Sequence, residues 1–395
     1  MSRVLIIGGS LGGLMTANIL LREGFEVTVL EKATSSLDGR GAGIVTHSAL
    51  VAALALCGVP IDASLGVAVD NRVTLDRHGT VVTQTKLPQV LTSWSRLYTL
   101  LLDALPADKY VSGAALESLT QNDHGVNVIC EDGRRFDAEV LIASDGIRSL
   151  VRAALAPQVQ AEYAGYVAWR GVCDEAVLSK NTLKTLFETF GFCLPAGEQM
   201  IGYPVAGQGN SVKSGQRRYN FVWYRPAPEN GTLQDLMTDA DGVHHPLGLP
   251  PNKVSWRHVH NARKMAHDKL APQFAEIMEK TAQPFLQPIY DCYSKNLAFG
   301  RVALMGDAAF VARPHVGMGV TKAAEDAVTL STCLKAHGTK PAAFLDYESQ
   351  RLVPGQAVVE RGRRLGAYMQ ASACGELTPR DAAVVMEQTA VDLSI

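Results

Sequence analysis

The chain has 395 residues, 37 basic against 39 acidic side chains, a formal charge of −2 and a hydrophobic content of 47%. A near-neutral chain without a polybasic block has no electrostatic claim on nucleic acid or an anionic membrane surface, and the length exceeds one compact core of ordinary size, so two lobes are expected. Seven scattered cysteines, Cys57, Cys130, Cys173, Cys193, Cys292, Cys333 and Cys374, form no C-x-x-C pair and read as free thiols of a reducing cytoplasm.

The first element is the apolar run Val4-Leu5-Ile6-Ile7, one buried strand long, which stops at Gly8-Gly9-Ser10-Leu11-Gly12-Gly13 and is followed by helix-period residues Met15, Ile19 and Leu20. Strand, glycine turn and helix in this order form a dinucleotide-binding unit. Gly8 permits the reversal, the helix start at Leu11–Gly13 aims backbone N–H groups at a pyrophosphate, and Gly13 lets helix and strand approach. Ser10 stands where G-x-G-x-x-G has its second glycine, so a small hydroxyl side chain lies beside the phosphates. A second strand, Phe25–Leu30, ends in Glu31, eighteen residues past Gly13, where a carboxylate holds a ribose hydroxyl. Val4–Leu21 is uncharged behind Arg3, but its glycines, Thr16 and Asn18 argue against a signal or membrane segment, and the protein is read as soluble.

Val73–Thr85 is expected to lend strands to a later sheet. Ala138–Ala143 reads as a buried strand ending in Ser144-Asp145-Gly146 and turning into a basic helix start at Arg148 and Arg152. From about Ala156 to Asp291, short aromatic and β-branched runs broken by glycine and proline predict an antiparallel sheet. Trp256–His260 reads as a strand with His258 and His260 on one face, and His244-His245 as part of a loop. Neither pair has accompanying ligands at metal spacing, and there is no H-E-x-x-H. Arg301–Met305 predicts another buried strand, ending in Gly306-Asp307, followed by Pro314, Gly317 and Gly319 and a helix from about Val320. The tail from Lys322 reads as helices broken at Pro341 and Pro354-Gly355, with Arg361-Gly362-Arg363-Arg364 as a solvated face.

Together these segments resemble the single-component FAD-dependent aromatic hydroxylases, the family of para-hydroxybenzoate hydroxylase, over nearly the whole chain. Gly39–Val45, Tyr163–Gly171, Arg218–Arg225 and Phe310–Gly319 are similar to members that act on hydroxylated pyridines. The resemblance implies an α/β, GR2-type flavoprotein: a Rossmann-like FAD-binding domain (residues 1–155 and 291–395, with C-terminal helices) and an inserted antiparallel β-sheet substrate domain (156–290). It further implies that Gly8, Ser10, Leu11, Gly12 and Gly13 hold the FAD pyrophosphate and Glu31, with Lys32, the adenosine ribose. Ala42 and Gly43 lie along the isoalloxazine, Arg40 and His47 are further cofactor-binding candidates beside that segment, Asp145 serves FAD and nicotinamide binding, Asp307 holds the ribityl chain, and Gly317 and Gly319 approach the flavin. Relatives often have histidine where Phe310 stands and a flavin-contacting arginine where Trp94 stands, with Arg96 two residues later.

The implied reaction uses NAD(P)H and dioxygen to hydroxylate an aromatic or N-heteroaromatic ring through a flavin hydroperoxide. No second glycine-rich βαβ unit occurs in residues 155–395, so NADH or NADPH visits transiently. Pro314 matches the proline beside flavin and substrate, and His315 follows it with the proton affinity of a carrier at neutral pH or, equally, as a mere hydrogen-bonding group. Tyr203 and Tyr224 are further pocket candidates, against a packing role. A flavin oxidase or dehydrogenase of another small substrate and a non-enzymatic flavin sensor are the alternatives; a halogenase would need a W-x-W-x-I-P stretch, which is absent. Relatives suggest a homodimer.

Overall fold

The computed structural model describes residues 2–37, 43–246, 248–376 and 380–392. Strand β1 (Arg3–Ile7), helix α1 (Leu11–Arg22) and strand β2 (Glu26–Glu31) form the N-terminal unit. β1 is the centre of a six-stranded sheet whose order is Ala298–Phe299, Val302–Leu304, Val140–Ala143, β1, β2, Tyr110–Ser112. All neighbours in it run parallel except the first two. Its strands read as continuous apolar runs because helices cover both faces. α1 is buried from Leu11 to Leu20, since it packs against β2 and against helices Trp94–Asp103 and Gly319–His337.

A second sheet has nine strands, in the order Phe310–Val311, Phe285–Tyr293, Glu162–Asp174, Arg218–Pro226, Gln199–Val205, Thr189–Cys193, Val67–Leu75, Val81–Ser93, Gly43–Thr46. The expected antiparallel pairing holds except between Thr189–Cys193 and Val67–Leu75, which run parallel. The contribution expected from 73–85 is the longer hairpin Val67–Leu75 and Val81–Ser93, and the expected boundary at 290/291 falls inside the strand Phe285–Tyr293. Strand alternation gives this sheet two faces. Val167, Trp169, Phe221, Trp223 and Met200 pack on helices Trp256–Lys269 and Pro272–Lys280, while Tyr166, Ala168, Tyr203 and Tyr224 face the other way. Leu116–Gln121, Val126–Cys130 and Arg135–Ala138 make a small third sheet.

Three local readings are corrected. Trp256–His260 opens a helix, because Val259, Ala262 and Ala266 bury one helical face; His258 is buried with Nε2 2.9 Å from the Asp235 carbonyl, and His260 is exposed. Pro354-Gly355 does not break the chain: Pro341–Ala373 is one 33-residue helix. Proline removes one hydrogen bond there, but Gly355, Gly362 and Gly366 let the helix lie directly on Phe310, Arg313 and Tyr166. The arginine cluster on that helix is tied down: Arg363 donates to Asp291 at 2.6 Å and Arg361 to the Gln388 carbonyl at 2.8 Å. Among the described residues no helix is long and apolar enough to cross a membrane.

Candidate active site

The glycine turn is dictated by contact. Gly8 has φ +106°, and a Cβ on it would lie 2.3 Å from the Ser144 carbonyl oxygen; on Gly13 it would lie 1.9 Å from the Gly8 carbonyl oxygen, and on Gly12 2.9 Å from Ser144 Oγ. The N-termini of α1 and the loop after Val140–Ala143 therefore close on each other without side chains between them. Ser10 is the N-cap of α1, yet its side chain makes no capping bond. Ser10 lines a cavity of about 290 Å³ with Gly8, Glu31, Lys32, Trp94, Ser144, Asp145, Gly146 and Arg148.

Glu31, almost wholly buried, accepts from the N–H groups of Gly9 and Ala33, each at 2.8 Å. Two backbone bonds fix the carboxylate and leave each oxygen a further acceptor position for a sugar hydroxyl. Asp145 Oδ2 accepts from Leu150 N at 2.8 Å and Val151 N at 3.3 Å, and Oδ1 is buried with no partner. Burial raises its pKa, which the surrounding N–H and Ser149 bonds oppose. Trp94 stacks on Tyr98 at 4.9 Å between ring centroids, and Arg96 turns away to Ser64.

A second cavity, of about 280 Å³, lies where the open face of the nine-stranded sheet meets the turn leading into helix Gly319–His337. Gly43, Tyr203, Tyr224, Asp307, Pro314, Gly317 and Gly319 line it, so seven of the predicted residues do converge. Tyr203 and Tyr224 are buried, and desolvation pushes both phenols above their ordinary range, with Arg170 opposing; they stay protonated donors at neutral pH. Gly43 donates to Asn220 Oδ1 at 2.9 Å. Gly317 sits at φ +64°, closing the turn Pro314–Val316, and the helix begins with Gly319 at the cavity wall, a geometry that favours a partial negative charge opposite it. The half-exposed Asp307 lies 3.5 Å from Nζ of Lys322, a fully buried cation that also donates to the Phe310 carbonyl.

Five of the described predicted residues line neither cavity: Leu11, Gly12 and Gly13 in the first turn of α1, and the two histidines, His315 and His47. His315 is fully buried, with Nε2 3.1 Å from the Tyr166 hydroxyl and its ring 4.0 Å from that of Tyr224. The tight turn that presents Pro314 and Val316 to the cavity sends the side chain between them into the sheet. Desolvation first, then Arg380 and Arg313, holds its pKa well below the ordinary value, so of the two sequence readings its placement favours the hydrogen-bonding group, paired with Tyr166, over the proton carrier. His47 is buried with Nδ1 2.8 Å from Thr321 Oγ1, bracing helix Gly319–His337 without lining either cavity. Arg40 and Ala42 lie outside the described residues.

Sequence reasoning passed over Arg170, Lys322, Ser144 and Trp94 as site residues. Arg170 left a signal: it is the one charge in the otherwise uncharged stretch Tyr163–Cys173. The wall formed by Ala390 left none. Its N–H donates to the His315 carbonyl at 3.0 Å, and it reaches the cavity because fully buried Arg72 donates to the Met386, Thr389 and Ala390 carbonyls.

A two-sheet fold with a glycine-turn cavity on one sheet and an aromatic cavity on the other matches known proteins throughout its length, and the chain belongs to the FAD-dependent aromatic monooxygenases, the family of para-hydroxybenzoate hydroxylase. The cofactor is FAD. The FAD binding domain-like family pattern matches residues 163–291. The chain is 30% identical to 2,6-dihydroxypyridine 3-monooxygenase of Paenarthrobacter nicotinovorans over 93% of this chain and 91% of that one. It is 29% identical to aurachin C monooxygenase/isomerase of Stigmatella aurantiaca, covering 93% and 89%. The solved structure of 2,6-dihydroxypyridine-3-hydroxylase from Arthrobacter nicotinovorans superposes with a TM-score of 0.87 at 28% identity, over 97% of this chain and 95% of that one.

Proposed function

We propose that this enzyme hydroxylates a hydroxylated N-heteroaromatic ring of the hydroxypyridine class, consuming one NAD(P)H and one dioxygen per ring. In the balanced reaction a ring C–H, O2, NAD(P)H and a proton become a ring C–OH, water and NAD(P)+. The observation that carries the reading is the second cavity: a slot with Tyr203, Tyr224 and Arg170 on one wall and Pro314, Val316 and Gly317 on the other, opening beside Asp307. Likeness to the dihydroxypyridine enzyme over nearly the whole chain supports the substrate class.

When bound, reduced FAD supplies the activation of dioxygen. Gly8–Gly13, with Ser10 and the N–H groups of Leu11 and Gly12, would hold its pyrophosphate, and Glu31 and Lys32 the adenosine ribose. Asp145 and Asp307 would take the sugar-like hydroxyls, and Gly43, Gly317 and Gly319 would allow backbone approach to the ring system. The protonated Tyr203 and Tyr224 donate hydrogen bonds to substrate oxygens and favour their ionised form, while the apolar wall from Ile201, Val222 and Val316 excludes water from the reacting face. With His315 out of the cavity, Tyr224 is its contact with the site.

Stopped-flow absorbance of the yellow protein with NADH or NADPH and 2,6-dihydroxypyridine, first without and then with oxygen, tests this. Ring-accelerated flavin reduction followed by a hydroxylated product is expected. Flavin that neither nucleotide reduces, across a panel of hydroxylated rings, would sink the reading and leave an oxidase or a sensor.

A further inference from the structure

Arg170 lies on strand Glu162–Asp174 in the row Ala164, Tyr166, Ala168 that faces the second cavity. Among the described residues, two that line that cavity carry charge, Arg170 from the nine-stranded sheet and Asp307 from the opposite wall, and Asp307 already has Lys322 beside it. Arg170 has no carboxylate within ion-pair distance among the described residues. Its Nη1 donates to the neutral Gln287 Oε1 at 2.7 Å, and its Nε is buried with no acceptor.

The fully buried arginines behave differently. Arg217, Arg313 and Arg351 each meet a carboxylate, with Glu175, Asp291 and Asp326, and Arg72 and Arg152 each meet two or more backbone carbonyls. Guanidinium groups taken out of water are held by anions or by several acceptors, and the cavity guanidinium has a single amide. Arg170 is half-buried and lines the cavity, so an acceptor for its remaining N–H groups can enter from there.

We propose that Arg170, oriented by Gln287, is the anion-recognising group of the ring site and receives a negatively charged oxygen on the substrate ring, an ionised ring hydroxyl or a ring carboxylate. The inference rests on the hydroxylase reading and sharpens it. A planar fork with free donors takes such an oxygen by charge-assisted hydrogen bonds. Gln287 sets the plane of the fork, and Tyr203 and Tyr224 add neutral donors on the same wall. A ring held as its anion is also the electron-rich ring that oxygen transfer needs.

The test titrates FAD-loaded enzyme with 2,6-dihydroxypyridine and with benzoate, each against a neutral counterpart, pyridine or benzamide, and reads the flavin absorbance change. Arg170→Gln and Arg170→Lys are compared with the unsubstituted enzyme. The expected result is at least tenfold weaker binding of whichever anion the enzyme prefers in Arg170→Gln, partial recovery in Arg170→Lys, unchanged binding of the neutral ring and retained FAD. Preference for dihydroxypyridine identifies the ring hydroxyl as the anion source, and preference for benzoate identifies the carboxylate. Undiminished anion binding by an FAD-loaded Arg170→Gln variant that still hydroxylates a ring overturns the role of Arg170 and leaves the hydroxylase reading standing. Failure of every ring to perturb the flavin of the unsubstituted enzyme overturns both.

Discussion

At the residue scale the site is governed by where a side chain is forbidden and where a charge is left unmet. Gly8 combines a left-handed backbone with a Cβ position 2.3 Å from a carbonyl oxygen, whereas Gly24 has φ +87° and open space around it. Gly24→Ala should cost only the backbone strain, about 1–2 kcal/mol, and keep FAD. Gly8→Ala must also push apart the turn and Ser144, and it should yield colourless protein, measurable as the flavin-to-protein absorbance ratio. Equal flavin content in the two variants would refute the close-approach account. His315 makes a prediction about pH. Its folded pKa lies below the ordinary value of about 6.5, so between the two the unfolded chain binds more protons and stability rises with pH. The contribution is fully present above about pH 6.5 and is lost as the pH falls toward the folded value. Urea midpoints at about pH 5 and about pH 8 should differ less in His315→Gln than in the unsubstituted enzyme, and an unchanged difference would show that other groups carry the slope.

Among elements, the C-terminal segment depends on one buried side chain from a distant strand. The short helix Ala382–Gln388 ends over the nine-stranded sheet, where Arg72 holds the Met386, Thr389 and Ala390 carbonyls and lies over the Phe190 ring. Burial without a carboxylate lowers the pKa of Arg72 to about 10, which leaves it charged at neutral pH. Arg72→Met should strand the Met386 and Thr389 acceptors at about 1–3 kcal/mol each, Ala390 keeping Gln89 as a donor, lower Tm and expose the segment to limited proteolysis. Since Ala390 lines the ring cavity, the variant should also release more hydrogen peroxide per NAD(P)H consumed. Proteolysis and peroxide yield equal to the unsubstituted enzyme's would remove Arg72 as the anchor. The long helix Pro341–Ala373 carries an opposite lesson. Pro354 lacks the N–H its turn would use, so Pro354→Ala should raise Tm, and a fall would mean the proline is shaping the helix to Phe310.

For the whole molecule, the two cavities lie on different sheets, with Gly43–Thr46 crossing from one lobe to extend the sheet of the other. A cofactor reaching from the glycine turn to Pro314 would bridge both sheets, so its binding energy would hold them together. Removing FAD should lower Tm while unfolding stays one cooperative step, and re-addition should reverse the loss; at a thousandfold excess over Kd, bound FAD adds about 4 kcal/mol of stability. Calorimetry of apo and reloaded protein reads this directly. Two separate transitions in the FAD-loaded protein would contradict the bridging role.

The parts legible in the amino-acid sequence were those set by local sterics and period. The approach of Gly13 to Gly8 and the bond from Gly9 to Glu31 lie within thirty-one residues, and each is where the motif puts it, whereas the approach of Gly8 to Ser144 comes from a distant strand. Dinucleotide binding followed from that spacing, and FAD in particular from the family resemblance. Pro314, Gly317, Gly319 and Asp307 were also visible, because a strand ending in Gly-Asp and a glycine-flanked helix start are local patterns. Only the tertiary structure decided which way a side chain faces once its turn is packed, and whether a charge finds a partner. His315 faces away from the cavity because Tyr166 and Tyr224 arrive beneath it from strands more than ninety residues distant in sequence. Arg170 is unmet because the acids that satisfy other arginines come from elsewhere in the fold, as Asp291 does for Arg313 and Asp326 for Arg351. Backbone conformation is a property of neighbours along the chain, whereas burial and counter-charge are properties of neighbours in space.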